Sequence, residues 1–354
     1  MSAVICRHFG ICGGCAYQDL PDAEYRALKR GLVVEALARQ GFADTEVEAP
    51  LEVAPATRRR AVFKVAKKNG ATLIGFHAAK SHAIVDMQEC FVLTPKLAAL
   101  VPRLRDAMSS LLRENEDVEL HVTDTDEGFD VALKWSRARN ASLQGEIARL
   151  ARKLGLARVT AGGDIIVELA KPSAVFGKAR VSLPPGSFLQ PTRVGEAALQ
   201  ARVATMLKGA KSIADLFAGC GTFALPLAAH AKVHAVDADG AALEALASAA
   251  RTTQGLKPVT TEKRDLFKRP LFPVELARFD AVVLDPPRAG ASVQASQLAA
   301  SKIARIAYVS CNAGSFSRDA RTLADAGYRL GTVLPVDQFL WSSHIELVAS
   351  FTRA

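Results

Sequence analysis

Short apolar segments alternate with helical segments through the second half of the chain, and this alternation limits the folds open to it. The predicted strands are Ser212–Leu216, Lys232–Val236, Ala281–Leu284, Arg305–Val309 and Tyr328–Val333, with a last strand near Leu347–Phe351. Strands that alternate with helices form a mostly parallel sheet with helices on both faces. The sequence therefore predicts a doubly wound, Rossmann-like α/β domain at residues 186–354, after the turn-forming Pro184-Pro185-Gly186.

The first half of the chain mixes helices and strands in a less regular order. Apolar residues at helical spacing predict a helix from Asp22 to about Gln40. The segments 61–66 and 71–76 are strand-like, and Asn69-Gly70 between them supplies the positive φ angles of a tight hairpin turn. Residues 1–185 are therefore predicted to form a separate α+β domain.

The chain is basic, with a formal net charge of +9 and a pI of about 9.3. Neutralising phosphates releases counterions, so a basic protein favours a polyanionic partner, although solubility alone explains the charge equally well. The densest basic patch lies on and beside the hairpin and contains Arg58, Arg59, Arg60, Lys64, Lys67 and Lys68. We predict phosphate contacts for this patch, with a solvated strand face as the alternative.

The sequence shows no membrane or export signal. It has no run of about 18 apolar residues, and its first eight residues lack the apolar core of a signal peptide. We therefore predict a cytoplasmic protein without a membrane partner, whose thiols stay reduced. No feature implies an obligate protein partner.

The first predicted strand of the second half runs into a glycine loop, Asp215-Leu216-Phe217-Ala218-Gly219-Cys220-Gly221. Gly219 and Gly221 let the backbone turn sharply and approach a ligand, and the segment that follows offers free N–H groups. The next strand leads to Asp237, whose carboxylate can accept hydrogen bonds from ribose hydroxyls. A nicotinamide dinucleotide and S-adenosylmethionine both suit such a site.

Two features favour S-adenosylmethionine. Ala224 stands where the dinucleotide fingerprint has its third glycine. A further strand ends in Leu284-Asp285-Pro286-Pro287-Arg288, which places the Asp285 carboxylate at the same edge of the sheet. Asp265, after a predicted strand at Val259–Lys263, is a candidate contact for the adenine ring.

A cysteine and a carboxylate are the candidate catalytic residues. Cys311 follows an apolar strand, and a side chain at that end of a strand points towards the substrate crevice. A buried core cysteine is the common alternative. Glu346 and His344 both precede the last strand, and we prefer Glu346 as general base because a carboxylate in a closed apolar site becomes more basic.

Four of the six cysteines have a spacing typical of a metal centre: Cys6, Cys12, Cys15 and the distant Cys90. Four thiolates can hold a structural zinc ion or a 4Fe–4S cluster. The spacing alone does not distinguish these two centres.

Taken together, these motifs resemble the RNA (uracil-5-)-methyltransferases, and within that family most closely the iron–sulfur members that act on 23S ribosomal RNA. The resemblance rests on Ser187-Phe188-Leu189-Gln190, the glycine loop, Leu284-Asp285-Pro286-Pro287-Arg288-Ala289-Gly290, Val309-Ser310-Cys311-Asn312 and His344-Ile345-Glu346. It runs from about Gln190 to the end of the sequence, and with the cysteines it covers nearly the whole chain. It implies a class I methyltransferase domain, a substrate domain before it, and S-adenosylmethionine as cofactor.

The resemblance also implies a role for each site residue. Cys311 is the nucleophile, because carbon 5 of uracil attacks a methyl group only after a thiolate has added at carbon 6. Glu346 is the base that removes the proton left on carbon 5. The implied cofactor contacts are Gln190, Phe217, Asp237, Asp265 and Asp285.

For the cysteines, the resemblance favours a 4Fe–4S cluster at Cys6, Cys12, Cys15 and Cys90, with a structural or RNA-orienting role. Cluster-bearing members often begin with an oligonucleotide-binding barrel, and the sequence predicts that this chain lacks it. Ribosomal RNA is the favoured substrate and transfer RNA the alternative. A cytosine-5 RNA methyltransferase and a nonenzymatic RNA-binding iron–sulfur protein remain as further hypotheses.

Overall fold

The computed structural model describes residues 5–137 and 140–353. Residues 1–4 lie outside this range. They belong to the first eight residues, for which the sequence predicts no signal peptide. The helices are α1 (Asp22–Ala38), α2 (Pro95–Leu111), α3 (Ala141–Leu154), α4 (Arg193–Met206), α5 (Ala224–Leu227), α6 (Gly240–Thr252), α7 (Pro273–Leu276), α8 (Ser292–Ala299) and α9 (Ala313–Asp325). No helix in the described ranges is both long and apolar enough to cross a membrane.

The strands follow the same chain-order numbering. They are β1 (Leu51–Glu52), β2 (Arg60–Lys68), β3 (Ala71–His77), β4 (Ile84–Asp86), β5 (Asp117–Thr125), β6 (Gly128–Lys134), β7 (Leu156–Ala161), β8 (Asp164–Glu168), β9 (Ser173–Phe176), β10 (Ala179–Ser182), β11 (Ser212–Leu216), β12 (Lys232–Asp237), β13 (Val259–Lys263), β14 (Ala281–Leu284), β15 (Arg305–Ser310), β16 (Arg329–Leu330), β17 (Leu334–Asp337) and β18 (Glu346–Thr352).

The larger sheet has the strand order β1-β17-β18-β15-β14-β11-β12-β13. The strands from β13 to β15 run parallel, and β18 lies antiparallel between β15 and β17. The predicted Rossmann-like α/β fold is therefore confirmed. Because parallel strands end at the same edge, the loops after β11, β12, β14 and β15 meet there.

Six of the seven strands predicted for this half are present close to their predicted bounds, and Tyr328–Val333 is wrong except for the two residues of β16. Tyr328 is instead buried, and its hydroxyl donates to the Ile303 carbonyl at 2.6 Å. The strand missed by the sequence is β17. Its second residue is Pro335, and a proline within a short segment argues against a strand.

The second sheet has the order β4-β3-β2-β5-β6-β7-β8, and β9 and β10 form a separate antiparallel pair. Helices α2 and α3 share an apolar core with the seven-stranded sheet. The predicted hairpin is confirmed as β2 and β3, with positive φ angles of 51° at Asn69 and 75° at Gly70.

One early segment of the chain belongs to the larger sheet. Strand β1 pairs in parallel with β17, and Val33 and Leu37 of α1 pack in one core with residues of β15 and β18. The division into domains at residue 185 stays a proposal. Elements on both sides of that residue form the sheet that carries the candidate site.

Candidate active site

Strand register brings the predicted nucleophile and base to one edge of the larger sheet. Ser310 of β15 pairs with Leu347 of β18 in an antiparallel register. Cys311 follows Ser310 and Glu346 precedes Leu347, so the two residues stand side by side where the strands end. Asp285 follows the neighbouring strand β14, which pairs with β15. The three side chains therefore share one pocket edge.

Glu346 occupies an environment that disfavours its charge. Its residue surface is only 3% exposed. Burial raises the pKa of Glu346 well above its usual range, the nearby Asp285 charge raises it further, and a hydrogen bond from Gln338 opposes both effects. Burial likewise raises the pKa of Asp285 to about 7. Once ionised, Glu346 is therefore a stronger base than an ordinary carboxylate, and this suits proton abstraction.

The Cys311 thiol is also held in its protonated form. Burial raises its pKa to about 11, and the charges of Glu346 and Asp285 add to the rise, whereas Arg288 lowers it. A thiol in this environment is mostly neutral near pH 7 and is a poor nucleophile until it loses its proton. Arg288, which is exposed at this edge, is the nearby cation that favours the thiolate.

His344, the alternative base, stands on the outer side of the site. Its Nδ1 lies 3.5 Å from the Arg288 guanidinium, and its ring contacts Phe339 edge-on. Burial lowers the pKa of His344, and the charges of Arg288 and Lys29 lower it further. The imidazole is therefore neutral near pH 7 and points towards Arg288.

The glycine loop after β11 adopts backbone angles that side chains rarely take. Phe217 itself has a positive φ of 64°, and Gly221 has a φ of 96°. A Cβ atom at Gly221 would stand 2.9 Å from Leu246, so glycine is required there. Gly219 donates its N–H to Asp237 at 2.9 Å. This geometry leaves a tight cradle at the carboxyl edge.

The other predicted cofactor residues lie around this loop. The Phe217 and Phe267 rings are 5.4 Å apart, and the Phe267 N–H donates to Asp265 at 3.0 Å. Asp237 also accepts the N–H of Asp239 at 2.8 Å. Phe217, Asp237 and Asp265 therefore lie near the glycine loop at the carboxyl edge of the sheet, where Asp285 follows the neighbouring strand β14.

Asp215 is a site residue that sequence reasoning missed. It is fully buried at the end of β11, and neither carboxylate oxygen has a hydrogen-bond partner within the described residues, although the Ala224 amide lies nearby. Burial and the neighbouring Asp285 raise its pKa well above the usual range. The available signal was an ionisable residue inside the apolar run Ile213-Ala214-Asp215-Leu216. Asp215 itself is enclosed, whereas the glycine cradle and the Asp237 and Asp285 carboxylates beside it suit a ligand that donates hydrogen bonds, such as S-adenosylmethionine.

Gln190 is fixed from behind by a buried ion pair. Its side-chain N–H₂ donates to Asp285 at 3.4 Å, and its backbone carbonyl accepts from the Arg59 guanidinium at 3.0 Å. Arg59 also pairs with Glu196 at 2.6 Å. Arg59, which directly precedes β2 of the smaller sheet, thereby holds a predicted cofactor contact at the edge of the larger sheet.

This arrangement corrects the predicted phosphate-binding patch. Arg59 is only 3% exposed, so it cannot contact a phosphate. Lys67 donates to the Ser109 carbonyl at 2.8 Å, and Lys64 forms an ion pair with Glu119. Arg59, Lys64 and Lys67 therefore make contacts within the protein, which the density of basic residues in the sequence does not reveal.

A buried lysine organises the loop 338–345, which connects β17 to the predicted base. Lys29 of α1 is fully buried, forms an ion pair with Asp337 at 2.8 Å, and donates to the carbonyls of Phe339, Ser342 and His344. Tyr25, one turn earlier, donates to Asp337 and accepts the Trp341 N–H at 2.7 Å. The signal for this cluster was two polar residues, four positions apart, on the apolar face of a predicted helix.

The four N-terminal cysteines line one cavity of about 300 Å³, together with part of the loop 338–345. Backbone N–H groups of His8 and Gly14 donate to the sulfurs of Cys6 and Cys12, each at 3.4 Å. Burial raises the pKa of Cys15 to about 12, and the proximity of Cys90, Cys12 and Cys6 adds to the rise. In the arrangement described for residues 5–137 and 140–353, no three Cys, His, Asp or Glu side chains are placed to hold a metal ion.

Comparisons with known proteins agree with this geometry. The family described as tRNA (Uracil-5-)-methyltransferase matches residues 177–353. An uncharacterized RNA methyltransferase of Rhizobium meliloti is 44% identical over 354 residues, covering 98% of this chain and 85% of the relative. The 23S rRNA (uracil(1939)-C(5))-methyltransferase of Chromohalobacter salexigens is 31% identical over 366 residues, covering 98% of this chain and 76% of the relative.

A solved structure shares the fold over almost the whole chain. It is the tRNA (uracil-54, C5)-methyltransferase of Pyrococcus abyssi in complex with S-adenosyl-L-homocysteine, with a TM-score of 0.75 at 24% identity. The similarity covers 96% of this chain and 85% of that one. At this level of identity the likeness concerns the fold.

Proposed function

This chain belongs to the tRNA (uracil-5-)-methyltransferase family, and on that basis we propose that it uses S-adenosylmethionine to methylate carbon 5 of a uridine in RNA. The observation that carries the proposal is the strand register that sets Cys311 beside Glu346, next to Asp285. A nucleophile and a base on neighbouring strands at the cofactor edge are what this reaction requires.

In the proposed reaction, the Cys311 thiol gives its proton to solvent, and the thiolate sulfur bonds to carbon 6 of the uracil. The carbon 5–carbon 6 double bond opens, and its electron pair becomes available at carbon 5. When bound, S-adenosylmethionine supplies an electrophilic methyl group to that carbon. Glu346 then removes the hydrogen of carbon 5 as a proton, the double bond forms again, and the bond between sulfur and carbon 6 breaks with its electrons returning to Cys311.

The residues around the glycine loop would hold the cofactor. Burial raises the pKa of Asp285 to about 7, and a bound ligand that brings positive charge and N–H donors would stabilise its ionised form. Asp237 would accept hydrogen bonds from ribose hydroxyls, and Phe217 and Asp265 would border the adenine. The predicted contacts Gln190, Gly219 and Gly221 complete the crevice.

We propose ribosomal RNA as the substrate, with transfer RNA as the second candidate. The support for ribosomal RNA is the 31% identity to a 23S rRNA methyltransferase, which extends over 98% of this chain. The support for transfer RNA is the description of the family that matches residues 177–353. Both substrates present the same uracil chemistry, so the choice depends on contacts outside the catalytic pocket.

Deleting the gene should remove one 5-methyluridine from one class of RNA. The measurement is mass mapping of methylated nucleosides in separated ribosomal and transfer RNA, with the gene restored as the control. Loss from 23S RNA would support the favoured substrate, and loss from transfer RNA would support the second. A missing 5-methylcytidine with all 5-methyluridine intact would overturn the proposal.

We further propose that Cys6, Cys12, Cys15 and Cys90 hold a 4Fe–4S cluster. All four are free thiols on one cavity wall, and amide N–H groups already donate to two of the sulfurs. Crowded thiols repel one another as thiolates, and a cationic centre would relieve that repulsion. Methyl transfer moves no electrons through the protein, so the cluster would support the cavity wall and the loop 338–345 that borders it.

Protein purified without oxygen should be brown and contain about four iron and four sulfide ions per chain. Cys90→Ser should lose the colour and most of the iron, because one of four ligands is removed. Cys311→Ala, which changes a cysteine outside the cavity, should keep both. One zinc ion without iron in anaerobic protein would contradict the proposed cluster.

A further inference from the structure

Hydrogen bonds through two glutamines join the proposed base to the carboxylate on the cofactor side. Gln338 Nε2 donates to Glu346 Oε2 at 3.0 Å and to Gln190 Oε1 at 2.7 Å. Gln190 Nε2 in turn donates to Asp285 Oδ2 at 3.4 Å. We infer that Gln338 is a positioning residue that favours the ionised form of Glu346 and aligns it to accept the carbon 5 proton, an inference that rests on the proposed function.

The surroundings of Gln338 fix the orientation of its amide. The residue follows β17, is only 1% exposed, and uses both amide hydrogens, one for Glu346 and one for Gln190. Its Oε1 has no hydrogen-bond partner in the described part of the chain. Turning the amide over would set this oxygen against the side-chain oxygen of Gln190 and leave the Glu346 carboxylate without the donor. The observed orientation therefore presents a donor to Glu346, which favours the ionised carboxylate over the neutral acid.

The donated hydrogen bond opposes the other influences on Glu346. Burial and the charge of Asp285 both raise its pKa, and the hydrogen bond from Gln338 lowers it. The other titratable or charged groups nearby are the Cys311 thiol, with Arg288 beyond it, and the Arg59–Glu196 ion pair behind Gln190. Within the described residues, Gln338 supplies the side-chain donor to this carboxylate.

Gln338→Met tests the inference, because methionine keeps the length of the side chain and removes both donors. Within the described residues, Gln338 Oε1 has no partner to lose, whereas Gln190 Oε1 also loses its donor, so we expect some loss of stability as well. Loss of a hydrogen bond to a charged group should raise the pKa of Glu346 by about one to two pH units. The measurement is a ¹³C NMR titration of glutamate carboxyls in the free protein, with the Glu346 signal identified by its absence in Glu346→Gln.

Catalysis should respond in the same direction. Glu346 acts in its ionised form, so a higher pKa moves the acidic limb of the product-release profile to higher pH. Near pH 7 the rate of release should fall about ten- to hundredfold, with recovery as the pH rises. Covalent addition, which depends on Cys311, should change less, because Gln338 does not contact that residue in the described network.

Gln294→Met is the matched control. Gln294 is also 1% exposed, and its amide bonds the backbone of Leu271, away from the catalytic edge. This variant should lose stability and leave the Glu346 titration and the pH profile in place. A wild-type titration in Gln338→Met, or an equal shift in Gln294→Met, would overturn the role of Gln338. Failure of the wild-type protein to methylate RNA would instead overturn the proposed function, and the NMR titration would still decide the Gln338–Glu346 coupling.

Discussion

Glu346→Gln should trap the enzyme on its RNA. Glutamine keeps the size of the side chain and its contact with Gln338 but cannot take the carbon 5 proton, so addition and methyl transfer proceed and elimination stops. A methylated protein–RNA complex should accumulate and survive denaturing gel electrophoresis. Cys311→Ala should form neither complex nor product, because no sulfur is present to add at carbon 6.

The double variant should behave like Cys311→Ala, since addition comes before proton removal. Glu244→Gln changes an exposed carboxylate on α6 and should turn over like the wild type. Normal turnover by Glu346→Gln would exclude Glu346 as the base and direct attention to His344. Product formation by Cys311→Ala would disprove the covalent mechanism.

Lys29→Met should cost about 3–5 kcal/mol of unfolding free energy, because it leaves the Asp337 carboxylate buried without its cation. It should also reduce the rate of proton removal, since three carbonyls of the loop 338–345 lose their donor. Urea unfolding measures the first effect, and the lifetime of the covalent complex measures the second.

A second change separates positioning from stability. Asp337→Asn combined with Lys29→Met removes the stranded charge and should restore part of the unfolding free energy, while the loop still lacks its donor and complex breakdown stays slow. Arg39→Met, in the exposed pair with Glu35 on the same helix, should change little. Full recovery of activity in the double variant would show that Lys29 acts through stability alone.

The sequence predicted which residues lie at this edge of the larger sheet because the signals for them are local. Each parallel strand is a short apolar run, and Cys311, Asp285 and Asp237 lie in or directly beside the residues that end such runs. A strand order that places those ends together then follows from the parallel fold. The position of these residues at one edge of the sheet could thus be predicted without coordinates, and their catalytic and cofactor roles stay a prediction.

The contacts that hold these residues in place could not be predicted, because they come from distant parts of the chain. Lys29 meets a carbonyl 310 residues later, and Arg59 meets one 131 residues later. Nothing near Arg59 in the sequence distinguishes a buried ion pair from a phosphate contact. The role of Gln338 could not be predicted either, since it depends on Glu346 in β18 and on Gln190 before α4.

The pairing of β1 with β17 has a consequence for how the chain folds during synthesis. Leu51 leaves the ribosome long before its partner Val336, and α1, whose Val33 and Leu37 belong to the apolar core, contacts α9 and β17 near the end of the chain. Until these elements emerge, the core residues of α1 have no native cover, and closing so long a loop is slow. We expect the nascent chain to hold an unfinished sheet through most of translation, open to chaperones, and to become a competent enzyme only when its two distant segments join.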